Sequence, residues 1–165
     1  MHQEGHYGAA LLAYAPLGVA LVAIGGQQPA VLGLVTVAAL AMVPDQDQRI
    51  PGIAHRGITH TVWFALVIGL AVGLAGAYVG NVLSDGAIRT IVLAGGFGFV
   101  VGTLSILSHI AADALTPMGV TPFIPVDDRH YTLDVVRASN DAANYLLLVA
   151  GTAASGLVLV LPTLL

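Results

Sequence analysis

Five apolar runs, at 8–25, 29–43, 60–83, 88–113 and 142–165, take up most of this chain. A helix that crosses a bilayer needs about 17–25 mostly apolar residues, each rising about 1.5 Å, and these runs cluster around that length. Such a chain has few options in lipid, because a spanning backbone must satisfy its own amides. The expected fold is therefore all-α, a polytopic integral membrane helical bundle of about five transmembrane helices. Residues 1–165 read as a single membrane-embedded domain, with no boundary and no internal repeat. The second run is short, so it either tilts little or borrows residues on both sides. Composition agrees: 57% of residues are hydrophobic and mean hydropathy is +0.90, against about 45–50% apolar residues in soluble domains. The opening stretch MHQEGHYG has no Lys or Arg ahead of its apolar run. It reads as the approach to a retained span rather than a cleavable signal peptide.

Tight turns at 25–29 and 84–87 and longer loops at 44–59 and about 114–140 connect the runs. The loops hold Pro44, Pro51, Pro117, Pro122 and Pro125, which end helices because proline lacks the amide donor and clashes with the preceding turn. Glycine pairs four apart (Gly69 and Gly73, Gly76 and Gly80, Gly98 and Gly102) predict close helix packing, since small residues let backbones approach in lipid.

Only 8% of the residues are charged. A lone charge in hydrocarbon costs at least about 2.5–3.5 kcal/mol on insertion scales, so the positions of the few charges are informative. Threading five spans from one membrane face, called X, places His6, Asp45, Asp47, His55, His60, His109, Asp113 and Asp141 all on X. The opposite face receives Asp85 and Arg89 and no histidine. Long loops collect polar residues for solvation alone, but two features favour chemistry. His109 and Asp113 stand four apart in SILSHIAADALT, so they project from one face of an apolar helix, one turn apart. Histidines and carboxylates without cysteine also form a ligand set suited to Zn²⁺, Mn²⁺ or similar ions. The absence of cysteine excludes disulfides and thiolate sites. The five basic residues are scattered arginines in a chain of net charge −4, with no stripe of the kind that binds nucleic acid. His2, near a fraying terminus, and His130, in the mixed-charge loop VDDRHYTLD, are read as solvated and left out of the site.

The segments EGH at 4–6, PDQD at 44–47, HRGITH at 55–60 and SHIAADALTPMGV at 108–120 occur in an order that resembles the YdjM-type membrane-bound metal-dependent hydrolase family, known in part as LexA-regulated inner-membrane proteins. The resemblance covers most of the chain. Members typically show Pro-Asp-x-Asp, His-Arg-Gly-x-Thr-His and His-xxx-Asp-xx-Thr segments, and all three occur here. Gln48 stands where members commonly carry a histidine after the first motif, and Thr61 where serine is frequent after the second. The resemblance implies a metal-dependent hydrolase and gives no substrate.

His6, Asp45, His60, His109 and Asp113 are assigned as metal ligands, with Asp47 and His55 completing a second site or serving nearby. These groups exceed the roughly three protein ligands usual for a catalytic zinc, so the expectation is one or two divalent ions, zinc or else manganese. A bound ion lowers the pKa of water toward about 7 and so supplies hydroxide at neutral pH. Asp47 is a bridging ligand or the general base. Arg56, four before His60 if the third span begins early, either reads a phosphate or carboxylate with its planar fork or anchors the span among headgroups. Thr59 and Thr116 hydrogen-bond ligands or cap helices. Trp63 and Tyr7 suit the interfacial aromatic belt. The leading expectation is an integral membrane hydrolase acting on a phosphoester or lipid-like substrate, with membrane lipids as its surroundings. The alternative is a metal-ion or proton transporter, which would more usually place ionisable groups near the midplane within inverted repeats. Arg49, Arg56, Arg129 and Arg137 on X against Arg89 opposite predict a cytoplasmic site face.

Overall fold

The computed structural model describes residues 1–161, and the last four positions of the expected fifth span lie outside the described residues. Within them the chain forms α1 (Gln3–Ala23), α2 (Gln27–Leu40), α3 (Val62–Leu83), α4 (Ile88–Ala114) and α5 (Asp141–Val160). Two 3-10 turns, Pro44–Arg49 and Ile58–His60, stand between α2 and α3. All-α architecture is what the apolar runs predict. No strand occurs among the described residues, only an isolated bridge between Val120 and Tyr131.

Among the described residues, five segments are long and apolar enough to cross a membrane. The short second run does borrow residues: α2 alone has 14, but its apolar segment continues through the first 3-10 turn to Arg49, giving 23. Asp45 and Asp47 thereby stand on the end of a span rather than in a free loop. The 27 residues of α4 would extend about 40 Å, beyond the roughly 30 Å hydrocarbon core. The surplus length carries His109 and Asp113 toward the polar end of the bundle. The third helix begins two residues later than its apolar run, because Thr61 caps it by accepting a hydrogen bond from the Phe64 amide at 3.1 Å. That cap leaves His60 in the preceding turn, where its ring turns inward and is fully buried.

Small residues set the helix spacing. Along the α3–α4 hairpin, a Cβ on Gly73 would come within 3.0 Å of the Gly95 carbonyl oxygen, and one on Gly102 within 3.1 Å of the Gly69 Cα. The glycine pairs in the sequence are thus contact points, as close packing in lipid requires. Gly8 of α1 lies against the Leu147 backbone of α5 in the same way. Polar bonds then fix register. The Tyr14 hydroxyl of α1 donates to the Ala30 carbonyl of α2 at 2.7 Å, and Ser105 of α4 donates to the Val37 carbonyl at 2.8 Å. Both bonds are buried, where an unmade polar contact costs about 1–3 kcal/mol, so they discriminate against slipped packings. A buried cluster of Ala10, Tyr14, Val37, Ala41 and Val101 joins α1, α2 and α4, directly beneath the end where the histidines gather.

The loop after α4 folds back onto that end. Leu133 donates its amide to the Ala114 carbonyl at 2.7 Å, Thr132 its hydroxyl to the Thr116 carbonyl at 2.7 Å, and Val62 its amide to the Pro122 carbonyl at 2.9 Å. These bonds hold residues 116–133 against the starts of α3 and the end of α4, closing one side of the polar cluster.

Candidate metal centre

Four side chains from three segments meet at the polar end of the bundle. Asp45 comes from the turn that extends α2, His60 from the turn before α3, and His109 and Asp113 from successive turns of α4. One ligand atom from each lies within 4.8 Å of every other, and the group could hold a metal ion. The individual separations are tighter. His60 Nε2 is 3.2 Å from His109 Nε2, 3.4 Å from Asp45 Oδ1 and 3.4 Å from Asp113 Oδ2. His109 Nε2 is 3.4 Å from Asp45 Oδ1 and 3.7 Å from Asp113 Oδ2. A tetrahedron with metal–ligand bonds of about 2.0–2.1 Å has edges of about 3.3–3.4 Å. The group therefore has the size of a four-coordinate N₂O₂ shell.

The hydrogen bonds around the rings decide what the nitrogens present to each other. His109 Nδ1 lies 2.7 Å from the Ala41 carbonyl, which can only accept, so Nδ1 carries the proton and donates. The Thr59 hydroxyl donates to Asp47 Oδ2 at 2.6 Å and sits 3.0 Å from His60 Nδ1. With its proton committed to Asp47, the Thr59 oxygen accepts from His60 Nδ1–H. Both imidazoles thus turn their lone-pair Nε2 edges toward one another, an arrangement that needs a positive species among them. Burial lowers the His60 pKa, but hydrogen bonds and charge from Asp113 and Asp45 more than reverse this, holding it above the ordinary imidazole value. A proton there meets the same electrostatic demand that a divalent cation would meet. Among the described residues, Asp45 Oδ1 and Asp113 Oδ2 are buried with no hydrogen-bond donor of their own, as atoms reserved for a cation would be. The residues present fit a divalent ion with nitrogen and oxygen preference.

His6 of α1 completes the cluster from the side. Its ring stacks on His109 with centroids 3.7 Å apart and planes 7° apart. Its Nε2 faces the other oxygens of the two carboxylates, 3.5 Å from Asp113 Oδ1 and 3.9 Å from Asp45 Oδ2. Neither ring nitrogen of His6 has a hydrogen-bond partner among the described residues. The α-amino group of Met1 also contacts Asp113 Oδ1.

Asp47, His55 and His60 form a second group that could hold an ion. It shares His60 with the first, and the His60 nitrogen on that side, 3.4 Å from Asp47 Oδ2, is the one that bonds Thr59. The Asp47 side chain is wholly buried, with Oδ1 3.0 Å from His55 Nδ1. His55, by contrast, is 37% exposed. The buried carboxylate therefore steers both rings, one directly and one through Thr59.

Arg56 does not stand one helical turn before His60, because α3 starts only at Val62 and the preceding backbone turns sharply. Arg56 has φ of 60°, a left-handed conformation that costs a non-glycine residue about 1–3 kcal/mol and persists only when surroundings enforce it. The enforcement is visible: Nη2 donates to Asp113 Oδ1 at 2.7 Å, and Nη1 donates to Thr116 Oγ1 at 3.1 Å and to the Gly119 carbonyl at 2.9 Å. The guanidinium points inward and clamps Asp113 rather than reaching out to headgroups. Thr116 in turn donates to the Asp113 carbonyl at 2.8 Å. Gly119 itself has φ of 55°, and a Cβ there would lie 2.5 Å from both His130 Nε2 and the Tyr131 carbonyl. We expect Gly119→Ala to displace the 119–131 loop and loosen Arg56, lowering the thermal midpoint in detergent by an amount equivalent to about 1–3 kcal/mol. A midpoint equal to that of the unaltered protein would refute this account of the loop.

Every residue singled out in the sequence as a site candidate lies in this cluster: His6, Asp45, Asp47, His55, Arg56, Thr59, His60, His109, Asp113 and Thr116. His130 is exposed and His2 is half exposed, pairing with exposed Asp141 at 3.5 Å. Asn144 was missed. It is buried in α5, donates to the Ala138 and Asn140 carbonyls and accepts from the His2 amide at 3.0 Å, tying the start of α1 to α5. An amide at the head of the apolar run NYLLLVAG was the available signal.

A cavity of about 590 Å³ opens beside Asp45 and is lined also by Glu4, Gln46, Gln48 and Arg49. Asp45 is the only member of the four-residue group with appreciable exposure, 12% against 0–1% for the others. Gln48 lines this cavity and is not one of the four residues of the group.

No curated protein and no solved structure matched the chain. A family model described as YdjM inner membrane protein matches residues 1–164, nearly the whole length, and with the membrane-spanning helices and the His/Asp cluster at their polar end it places the chain in the YdjM inner membrane protein family.

Proposed function

We propose that the protein is an integral membrane metal-dependent hydrolase whose single catalytic ion is held by Asp45, His60, His109 and Asp113, with His6 as a flanking ligand. The observation that carries this reading is the pair of Nε2 atoms facing each other at 3.2 Å between two donor-free carboxylate oxygens. When bound there, a divalent ion would lower the pKa of a water toward about 7. The chain's own residues do the rest. Asp47 holds the His55 ring, and partly exposed His55 takes the proton from water as general base, while Asp47 stays buried as the orienting carboxylate. Through Thr59, the same carboxylate fixes the His60 tautomer, the usual arrangement behind a metal-bound imidazole. Arg56 balances Asp113 and fixes its rotamer. Location at the ends of helices, without repeats around a midplane, favours hydrolysis over transport. The substrate class that suits this location is a phosphoester or lipid-like ester reaching the centre along the cavity beside Asp45.

Elemental analysis of the detergent-purified protein, joined to a screen of phosphoesters and phospholipids, tests the proposal. A divalent ion near one per chain with ester hydrolysis abolished by chelation and restored by zinc or manganese is the expected result. Stoichiometric metal without any hydrolytic activity would reject the enzyme reading and leave a metal-binding membrane protein.

The site face is proposed to be cytoplasmic. The chain has no cysteine, so single cysteines at 27, 50, 86 and 130 report cleanly on topology. In intact cells an impermeant reagent should label 27 and 86 and spare 50 and 130. The reverse pattern would invert the orientation, and a split between 50 and 130 would contradict a shared face.

A further inference from the structure

The loop after α4 carries large apolar side chains on its outside. Val126, Leu133 and Val135 are 77%, 69% and 71% exposed, and exposed Phe123 packs edge-on against Tyr131 with ring centroids 5.6 Å apart. Exposed apolar side chains gathered in this way mark an interaction surface rather than a solvated loop. The backbone bonds of the loop fix its depth. The 22 residues of α3 would extend about 33 Å, close to the roughly 30 Å hydrocarbon core. Val62, the first of them, therefore stands near the boundary between hydrocarbon and headgroups. Its amide donates to the Pro122 carbonyl at 2.9 Å, and the Trp63 indole nitrogen lies 3.5 Å from the Phe123 carbonyl, so residues 122 and 123 share that depth. The Val126 amide donates to the same Phe123 carbonyl at 2.9 Å, which keeps Val126 within one turn of it. Leu133 and Val135 are tied to the end of α4 through the carbonyls of Ala114 and Leu115, at 2.7 and 2.9 Å. The surface also continues one that meets lipid. Trp63, Leu66, Val67 and Leu70 are exposed along α3 at the three- and four-residue spacing of a single helical face, and Phe123 stands at the end of that face nearest the metal centre.

We propose that the face of the 122–135 loop formed by Phe123, Val126, Leu133 and Val135 lies in the headgroup layer of the leaflet on the side of the metal centre, its side chains dipping among the first acyl carbons. The occupant of this face is the lipid surface itself. Between 122 and 135 the chain has Asp127, Asp128 and Asp134 against Arg129 alone, so attraction to anionic headgroups does not hold the loop there, and burial of apolar surface does. The charged residues take the water side, because a carboxylate is costly in hydrocarbon. The same loop closes one side of the polar cluster, so a leaflet lipid would stand beside the centre without leaving the bilayer. That consequence for the substrate rests on the hydrolase reading, whereas the depth of the loop does not.

Site-directed spin labelling of the full chain in phosphatidylcholine vesicles tests the position without turnover. The chain has no cysteine, and Val126→Cys, Leu133→Cys and Val135→Cys replace exposed side chains, with circular dichroism checking the fold. Val67→Cys on α3 gives the lipid reference and Asp128→Cys the water reference. Nitroxides at 126, 133 and 135 should collide with oxygen, which concentrates in lipid, more often than the one at 128. They should collide with a water-soluble nickel chelate several-fold less often. Adding phosphatidylglycerol should leave this contrast unchanged, and a contrast that appears only with the anionic lipid would overturn the apolar account. Nickel accessibility at 126, 133 and 135 equal to that at 128 would put the loop in water and overturn the proposal. Low accessibility to both reagents would mean that protein, such as a second copy of the chain, covers the face, and would overturn it as well. A lipid-like pattern in protein without hydrolytic activity upholds the lipid contact and rejects only the enzyme reading.

Discussion

Replacing His109 by alanine is expected to empty the metal centre. His109 supplies one Nε2 of the four-atom group, and its ring is held by the Ala41 carbonyl and stacked on His6. Loss of a residue that merely orients a ligand lowers metal affinity by about 10–100-fold, so loss of the ligand itself should lower it by more than about 100-fold. Bound metal after dialysis should then fall from near one per chain to a trace. The substitution also leaves the buried Ala41 carbonyl without its side-chain donor, which costs about 1–3 kcal/mol, and circular dichroism checks that the bundle persists. Asp113→Asn keeps the shape of the side chain and provides the second case. Elemental analysis on monodisperse, helical protein reads both. Full metal content in either variant would remove the residue from the ligand set.

Asp47, Thr59 and His55 should separate into different phenotypes. Asp47→Asn weakens the tie to both rings, so metal affinity should drop about 10–100-fold and hydrolysis with it. Thr59→Val breaks only the path to His60, whose Nδ1 loses its acceptor, and should reproduce the affinity loss. At saturating metal it should retain most of the rate. His55→Ala should do the opposite, keeping the ion and losing about 10²–10⁴ in rate, the usual range for a general base. Competition with a chromophoric chelator gives the affinities, and turnover at saturating metal gives the rates. If His55→Ala instead releases the ion, His55 is a ligand and the Asp47, His55 and His60 group is a second metal site.

Much of this arrangement was legible in the sequence because lipid makes polarity informative. The spans could be read from hydropathy, and their parity alone put His6, Asp45, His60, His109 and Asp113 at one end. The i, i+4 spacing of His109 and Asp113 gave a true shared face, since α4 is regular there. Less legible were features set by irregular backbone. Arg56 was weighed as a headgroup anchor or a substrate fork, and no hydropathy pattern could show that a left-handed turn directs its guanidinium onto Asp113. Asp47 and Asp45, two apart, could be read as pointing differently, but only the 3-10 turn and the Thr59 hydroxyl show which one is buried behind His60.

X-ray absorption spectroscopy on the zinc-loaded, detergent-purified protein tests the four-residue centre most directly. The account predicts a first shell of about five nitrogen and oxygen atoms, water included, at about 2.0–2.2 Å, without sulfur, and with the outer-shell scattering of two or three imidazoles, which His109→Ala diminishes together with the bound zinc. A shell of about six oxygens with no imidazole scattering would place the ion elsewhere and contradict the account.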